Sequence, residues 1–224
     1  MTARGMRTAL APFALAALLG PGASCAGAAE RGAGWSCSLG LLAGSALPDA
    51  RLGDYQWNVT PRAAWGGQVL LERGRFGAGA RLWRSATTQT MDLPGGPVAP
   101  RVGLTRLELT GQGRVLALGS TTLRVTAGAG WLHLGYAPDQ ITIPPSGSGG
   151  PIVVSLRAVD EWIGGAGVAL RRPWGACWSL GVGVDREFFG LDAAHRSGSA
   201  IVYGRESLGE WSARLEVARQ FQLR

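Results

Sequence analysis

Trp211-Ser-Ala-Arg-Leu-Glu-Val-Ala-Arg-Gln-Phe221 is the stretch on which the fold turns. One parity holds Trp211, Ala213, Leu215, Val217 and Phe221, and the other holds Ser212, Arg214, Glu216, Ala218 and Gln220. Side chains alternate faces along a strand, so one face is apolar and the other ionic. A soluble sandwich or barrel turns such an apolar face inward and a membrane barrel turns it outward, so the rest of the chain has to decide.

Seven further stretches alternate in the same way. The first runs from Trp35 to Gly44, with Trp35, Cys37, Leu39, Leu41 and Ala43 on one face. The second, from Tyr55 to Leu71, sets Trp57, Val59, Ala63, Trp65, Val69 and Leu71 against Gln56, Asn58, Thr60, Arg62 and Gln68. The third covers Phe76 to Ser85, the fourth Arg101 to Arg114, the fifth Thr122 to Gly135 and the sixth Ser155 to Leu170. The seventh starts at Trp178, where Trp178, Leu180, Val182 and Val184 oppose Ser179, Gly181, Gly183, Asp185 and Glu187.

Between them lie connections that alternate long and short. Ser45 to Asp54, Thr87 to Pro100, Tyr136 to Pro151 and Phe188 to Glu206 read as long loops; Glu72 to Arg75, Leu116 to Thr121 and Arg171 to Gly175 read as tight turns. An even-stranded meander with short turns at one end and long loops at the other is the outer-membrane arrangement, short turns periplasmic. The fold class predicted is all-β: an eight-stranded antiparallel up-and-down transmembrane β-barrel over residues 29–224.

Residues 1–28 read as a cleaved signal peptide, with Arg4 and Arg7, an apolar run from Ala9 to Leu19, a break at Pro21-Gly22 and a small-x-small site at Ala26-Gly-Ala28. Gly22-Ala23-Ser24 before Cys25 has the small residues of a lipoprotein signal but lacks its aliphatic residue. No apolar run is long enough for a spanning helix. Cys37 and Cys177 map two strands apart, about 10 Å, too far to bridge each other, which predicts free thiols. The net charge of +7 is carried by arginine without a single lysine, and the arginines are spread singly rather than in the runs that grip nucleic acid, so no nucleic-acid partner is expected.

Aromatic residues gather at strand ends, where an indole finds both an apolar ring site and a partner for its N–H. Trp35, Trp174, Trp178, Phe76 and Phe221 map to the short-turn rim, and Trp57, Trp83, Trp131, Tyr136, Trp211 and Phe188 to the other. Trp65 and Trp162 map nearer mid-strand and Trp83 has inward parity, as core-filling residues would. The inward parity collects Arg62, Arg81, Arg106, Glu108, Arg124, Glu161, Asp185, Glu187, Arg214 and Glu216. Five arginines and five carboxylates inside eight strands predict an ion-paired plug rather than a diffusive pore.

Signal peptide, eight strands, aromatic rims, alternating connections and a C-terminal aromatic resemble the small outer-membrane barrels of the OmpA/OmpX type. The resemblance is one of architecture over residues 30–224, and Gln222-Leu223-Arg224 after Phe221 departs from the usual aromatic terminus. It implies location in the bacterial outer membrane, partners in outer-membrane lipid and lipopolysaccharide, and recognition of Phe221 and Leu223 by the barrel-assembly machinery. The role it implies is structural or adhesive, through the extracellular loops, with no ligand named.

Chemistry has little support in the pattern. His133 and His195 lack a second histidine or cysteine at ligand spacing, so neither metal nor cofactor is expected. His195-Arg-Ser197 followed by Glu206 or Glu210 looks like the His-x-Ser and later glutamate of outer-membrane lipid A deacylases, which are also eight-stranded barrels. A hydroxyl activated by an oriented histidine would make a lipid-modifying esterase, provided that the three groups meet within about 6 Å. A periplasmic lipocalin-like ligand-binding barrel is the other alternative, and it requires the tryptophans and leucines to face inward.

Overall fold

The computed structural model describes residues 34–93, 95–143, 150–197 and 200–223, and only the backbone of residues 193–197 and 200–203. The predicted signal peptide and Cys25 lie outside the described residues. In chain order the elements are β1 (Trp35–Pro48), a 3-10 helix (Ala50–Tyr55), β2 (Arg62–Arg73), β3 (Phe76–Thr88), β4 (Met91–Leu93), β5 (Gly96–Val98), β6 (Arg101–Leu118), β7 (Thr121–Ala137), β8 (Gln140–Ile143), β9 (Ile152–Ser155), β10 (Val159–Trp174), β11 (Trp178–Ser197) and β12 (Ala200–Leu223).

Eight of these strands, β1, β2, β3, β6, β7, β10, β11 and β12, pair antiparallel with their chain neighbours, and β12 pairs back onto β1 to close the ring. Stepping across the ladder from Ser36 passes Glu72, Gly77, Gln112, Thr126, Gly167, Asp185 and Ser212 and returns to β1 at Ala46, ten residues further on. With a rise of about 3.3 Å per residue and about 4.8 Å between strands, that stagger tilts the strands by about 40° and gives a radius of about 8 Å. Side chains from opposite walls therefore meet at the axis.

The β2–β3, β6–β7 and β10–β11 turns lie at one end, each with a glycine in the left-handed region: Gly74 at φ +62°, Gly119 at +60° and Gly175 at +72°. A side chain there would strain the backbone, so these positions set where the strands reverse.

Several predicted boundaries move. The second strand starts at Arg62, not Tyr55: Pro61 has no amide hydrogen for the ladder, and upstream Asp49 caps the 3-10 helix by accepting from the Arg51 amide at 3.1 Å. The loops containing Pro94 and residues 144–149 carry hairpins of their own, β4–β5 and β8–β9. Predicted as a loop, Phe188 to Glu206 instead continues β11 and β12 as a two-stranded ribbon, with eight rungs from Gly190↔Ser207 to Ser197↔Ala200 beyond the last contact with β10. Alternation failed to reveal it because a ribbon held by backbone pairing needs no continuous apolar face. Cys37 is free, but Cys177 is disulfide-bonded to a partner outside the described residues, which corrects the expectation of two free thiols.

Candidate functional site

The outward parity is apolar around the barrel. Leu41, Val69, Leu107, Leu109, Val125, Val168, Val182 and Leu215 all stand exposed, Leu109 by 74%. A surface this continuous is unlike that of a soluble monomer. Trp65, Trp131, Trp162, Phe188 and Trp211 frame it at the long-connection end, while Trp35, Phe76 and Trp174 frame it at the short-turn end. Trp178 and Phe221, in the second belt, are half-buried. On β11 the pair Trp178 and Phe188, and on β12 the pair Trp211 and Phe221, are ten residues apart. Ten residues on strands tilted by about 40° span about 25 Å along the axis, the height of an outer-membrane apolar band.

Several of these assignments change. Trp57, expected to face lipid, is buried against Leu52, Val102 and Leu132 inside the mouth, because its segment is not strand and its alternation was a coincidence of loop residues. Trp65 and Trp162, which read as core-filling, instead point outward, and Trp162 stacks on Trp131 with ring centroids 4.0 Å apart. Trp83 is buried with Leu42, Ala46 and Ala64. With the leucines of the band and most tryptophans outside, the inward-facing arrangement that a lipocalin-like barrel requires is excluded.

Inside, the charges fall into two groups. The upper one runs from Arg62 to Glu210, on to Arg106, then Glu187 at 2.7 Å, and from Glu187 to Arg81 at 3.3 Å. Arg81 also holds Glu108 at 2.6 Å and Asp185 at 3.1 Å, and Asp185 pairs with Arg214. This group has four arginines and four carboxylates. The lower group has two of each: Arg124 and Arg171 share Glu72, Arg171 with an N–O distance of 3.0 Å, and Arg171 also pairs with Glu216. Each network is electrically neutral, which is the condition for burying so many charges in a low-dielectric interior. Arg106 is 1% exposed and Glu210 0%.

Glycines in the wall make room for these side chains. A Cβ on Gly183 would come within 3.0 Å of the Arg214 guanidinium carbon, and one on Gly167 would collide with the Asp185 carboxylate. Nine of the ten interior charges read from the sequence take part in the two networks. The tenth, Glu161, sits at the long-connection rim and pairs with the exposed Arg205. Glu72, Arg171 and Glu210 were missed.

Above the upper network the inward parity turns apolar. Val102, Leu104, Leu132, Leu134, Ile163, Phe189 and Leu208 close the mouth beneath Leu52 and Trp57. The 3-10 helix lies over them as a lid and is tied down on both sides. Asp49 N donates to Gly209 O at 2.8 Å and Arg51 Nη2 to Ser207 O at 2.8 Å, while the Tyr55 hydroxyl bonds the Glu206 carboxylate, which lifts the phenol above its ordinary range. Across the mouth, Gln56 Nε2 donates to Asp92 at 2.8 Å and Gln89 Nε2 to Tyr55 O at 3.2 Å. Two cavities in the barrel are of about 20 Å³, lined by Gln68, Thr110, Gln112, Arg124 and Thr126 among others, and about 10 Å³ beside Glu108 and Gly165.

The backbones of the esterase candidates His195 and Glu206 stand apart along the ribbon. His195 lies opposite Val202 and Glu206 opposite Leu191, four rungs away, or about 13 Å along the ribbon. The side chains of His195 and Ser197 are outside the described residues. Glu206 is engaged by Tyr55, and Glu210 is held inside the barrel by Arg62 and Arg106. His133, on the outer face, pairs instead with Asp160 at 2.8 Å.

No protein-family model matches the chain, and no curated protein does. Among solved structures the outer membrane protein OprG from Pseudomonas aeruginosa is similar with a TM-score of 0.54 at 10% identity, over 86% of this chain and 99% of that one. Neisserial surface protein A is similar with a TM-score of 0.50 at 5% identity, over 83% of this chain and 96% of that one. At such identities the likeness concerns the fold alone. In a closed eight-strand ring whose apolar band faces outward and whose charges face inward, this chain has the architecture of the small outer-membrane β-barrels of the OmpA/OmpX type.

Proposed function

We propose that the chain is an integral protein of the bacterial outer membrane whose barrel is a plugged anchor, and that its structural or adhesive work is done by the connections at the long end. The signal peptide and the alternation of connection lengths support export and an orientation with the short turns in the periplasm. The observation that carries the reading is the filled interior. Two neutral ion-pair networks and an apolar cap follow one another along the axis, and cavities of about 20 and 10 Å³ hold one or two waters rather than a path. What is left to meet a partner is the rim with its lid helix, the β4–β5 and β8–β9 hairpins and the β11–β12 ribbon.

Outer-membrane fractionation followed by electrophoresis of boiled and unboiled samples tests the first half. A band that shifts on heating and needs detergent for recovery is expected, and a soluble periplasmic protein would overturn the reading. Deleting the eight-rung ribbon beyond Gly190↔Ser207 tests the second. Cells carrying the shortened barrel at equal surface density are expected to lose adherence to host matrix proteins, while the heat-shifted band persists.

A further inference from the structure

The described carboxylates are distributed very unequally. Six lie in the interior networks, and the other eight, Asp49, Asp54, Asp92, Asp139, Asp160, Glu161, Asp192 and Glu206, all lie at the long-connection end. The short-turn rim has none on its outside. It carries instead Arg73 at the end of β2, Arg75 in the turn and Arg172 on β10, all exposed. Arg219 on β12 adds a guanidinium 5.3 Å from the Phe221 ring centre, and Arg73 lies 5.6 Å from that of Trp35.

We infer that this rim is a binding collar for the phosphates of anionic phospholipid in the leaflet it faces; the inference rests on the membrane-barrel reading above. Three observations choose that occupant. The collar coincides with the aromatic belt that ends the apolar band, the depth at which phosphates lie. Arg73 on the face of Trp35 is held laterally, and its N–H fork matches two phosphate oxygens. Arg73, Arg75 and Arg172 make no ion pair with any described carboxylate, whereas every arginine buried in the barrel interior has one. Anchoring one rim to phosphate while the other carries mixed charge also fixes the depth and tilt of the barrel.

The test uses the full folded chain, bilayers of phosphatidylcholine alone and with one-third phosphatidylglycerol, and lipid retention read by native mass spectrometry after detergent extraction. Each arginine near an anionic surface is worth roughly a fivefold preference at low salt. The wild type is therefore expected to retain phosphatidylglycerol over phosphatidylcholine by more than tenfold, and less so at high salt. R73Q/R75Q/R172Q is expected to lose the preference, R172Q to lose part of it, and R84Q, at the opposite belt, to keep it. Equal retention of both lipids by a wild-type barrel that still shows its heat-shifted band overturns the collar but not the barrel. Persistence of the preference in the triple variant, or stronger arginine-dependent retention of lipopolysaccharide than of phosphatidylglycerol, also overturns it. Absence of the heat-shifted band from the wild type would overturn the membrane reading itself.

Discussion

Replacing Arg106 by methionine removes the guanidinium shared by Glu187 and Glu210 and leaves Glu210 to Arg62 alone. An unpaired buried charge costs more than the pair contributes, so R106M is expected to lower folding stability by about 3–5 kcal/mol, measured by urea unfolding of the barrel in micelles. R106M/E187Q restores a neutral network, with Arg62 still on Glu210 and Arg81 on Glu108 and Asp185; if it recovers none of that loss, the network is not the cause. Gly167→Ala sets a methyl against the Asp185 carboxylate and is expected to cost about 1–3 kcal/mol by overpacking, whereas the same change at Gly111, whose Cβ would meet its nearest neighbour, Ala127 O, at 4.0 Å, should cost much less. These interior positions were legible as far as parity reached. Glu72, Arg171 and Glu210 share the parity of Arg62, Glu161 and Arg214 respectively, but each stood just past a strand end drawn too short. Turn-like composition, Glu-Arg-Gly-Arg and Arg-Arg-Pro-Trp-Gly, stopped the reading one pair early, and parity carried through to the glycine with positive φ would have found Glu72 and Arg171.

Among the elements, the 3-10 lid was invisible to the sequence reading because six residues give no helical period, and Trp57 and Val59 fell on alternate positions by chance. Its hold on the barrel is local and polar at the edges, apolar in the middle. Leu52→Ala is expected to cost about 2–5 kcal/mol and to raise hydrogen exchange in the lid, since it empties a site packed against Trp57 and the mouth leucines. Unchanged exchange there would show that the polar clasps hold the lid unaided. Arg51 beside Asp49 holds that carboxyl below its ordinary value of 3.8. A depressed folded-state value means that the contribution is complete above about pH 4 and fades as pH falls through the folded value. Exchange in the lid should therefore rise at acid pH in the wild type before the strands open, and D49N should show the open-lid rate already at neutral pH. The ribbon of β11 and β12 escaped the reading for the opposite reason, since it is held by backbone bonds that leave no side-chain pattern to read.

Across the whole molecule, the ionic networks and the apolar cap lie in series along one axis, and the plugged-anchor proposal expects each to stop an ion by itself. The lower network crosses the barrel at Glu72, Arg124 and Arg171, the upper at Arg81 and Asp185, and the cap at Leu52 and Leu132. The radius of about 8 Å set by the ten-residue stagger leaves no annulus around them. The barrel's outward and inward faces were readable from alternation alone; the order of the layers was not, because it depends on the stagger that brings Phe189 and Leu208 level with Leu132, and a sequence does not display register. Planar-bilayer recordings check the arrangement. The wild type is expected to give no stable steps, and so are L52A/W57A, which opens only the cap, and R81A/R124A, which opens only the charged layers. The combination of all four substitutions, in barrels that still show a heat-shifted band, is expected to conduct. Stable steps from either double variant alone would mean that the layers are not independent barriers, and steps from the wild type would end the plugged-anchor reading.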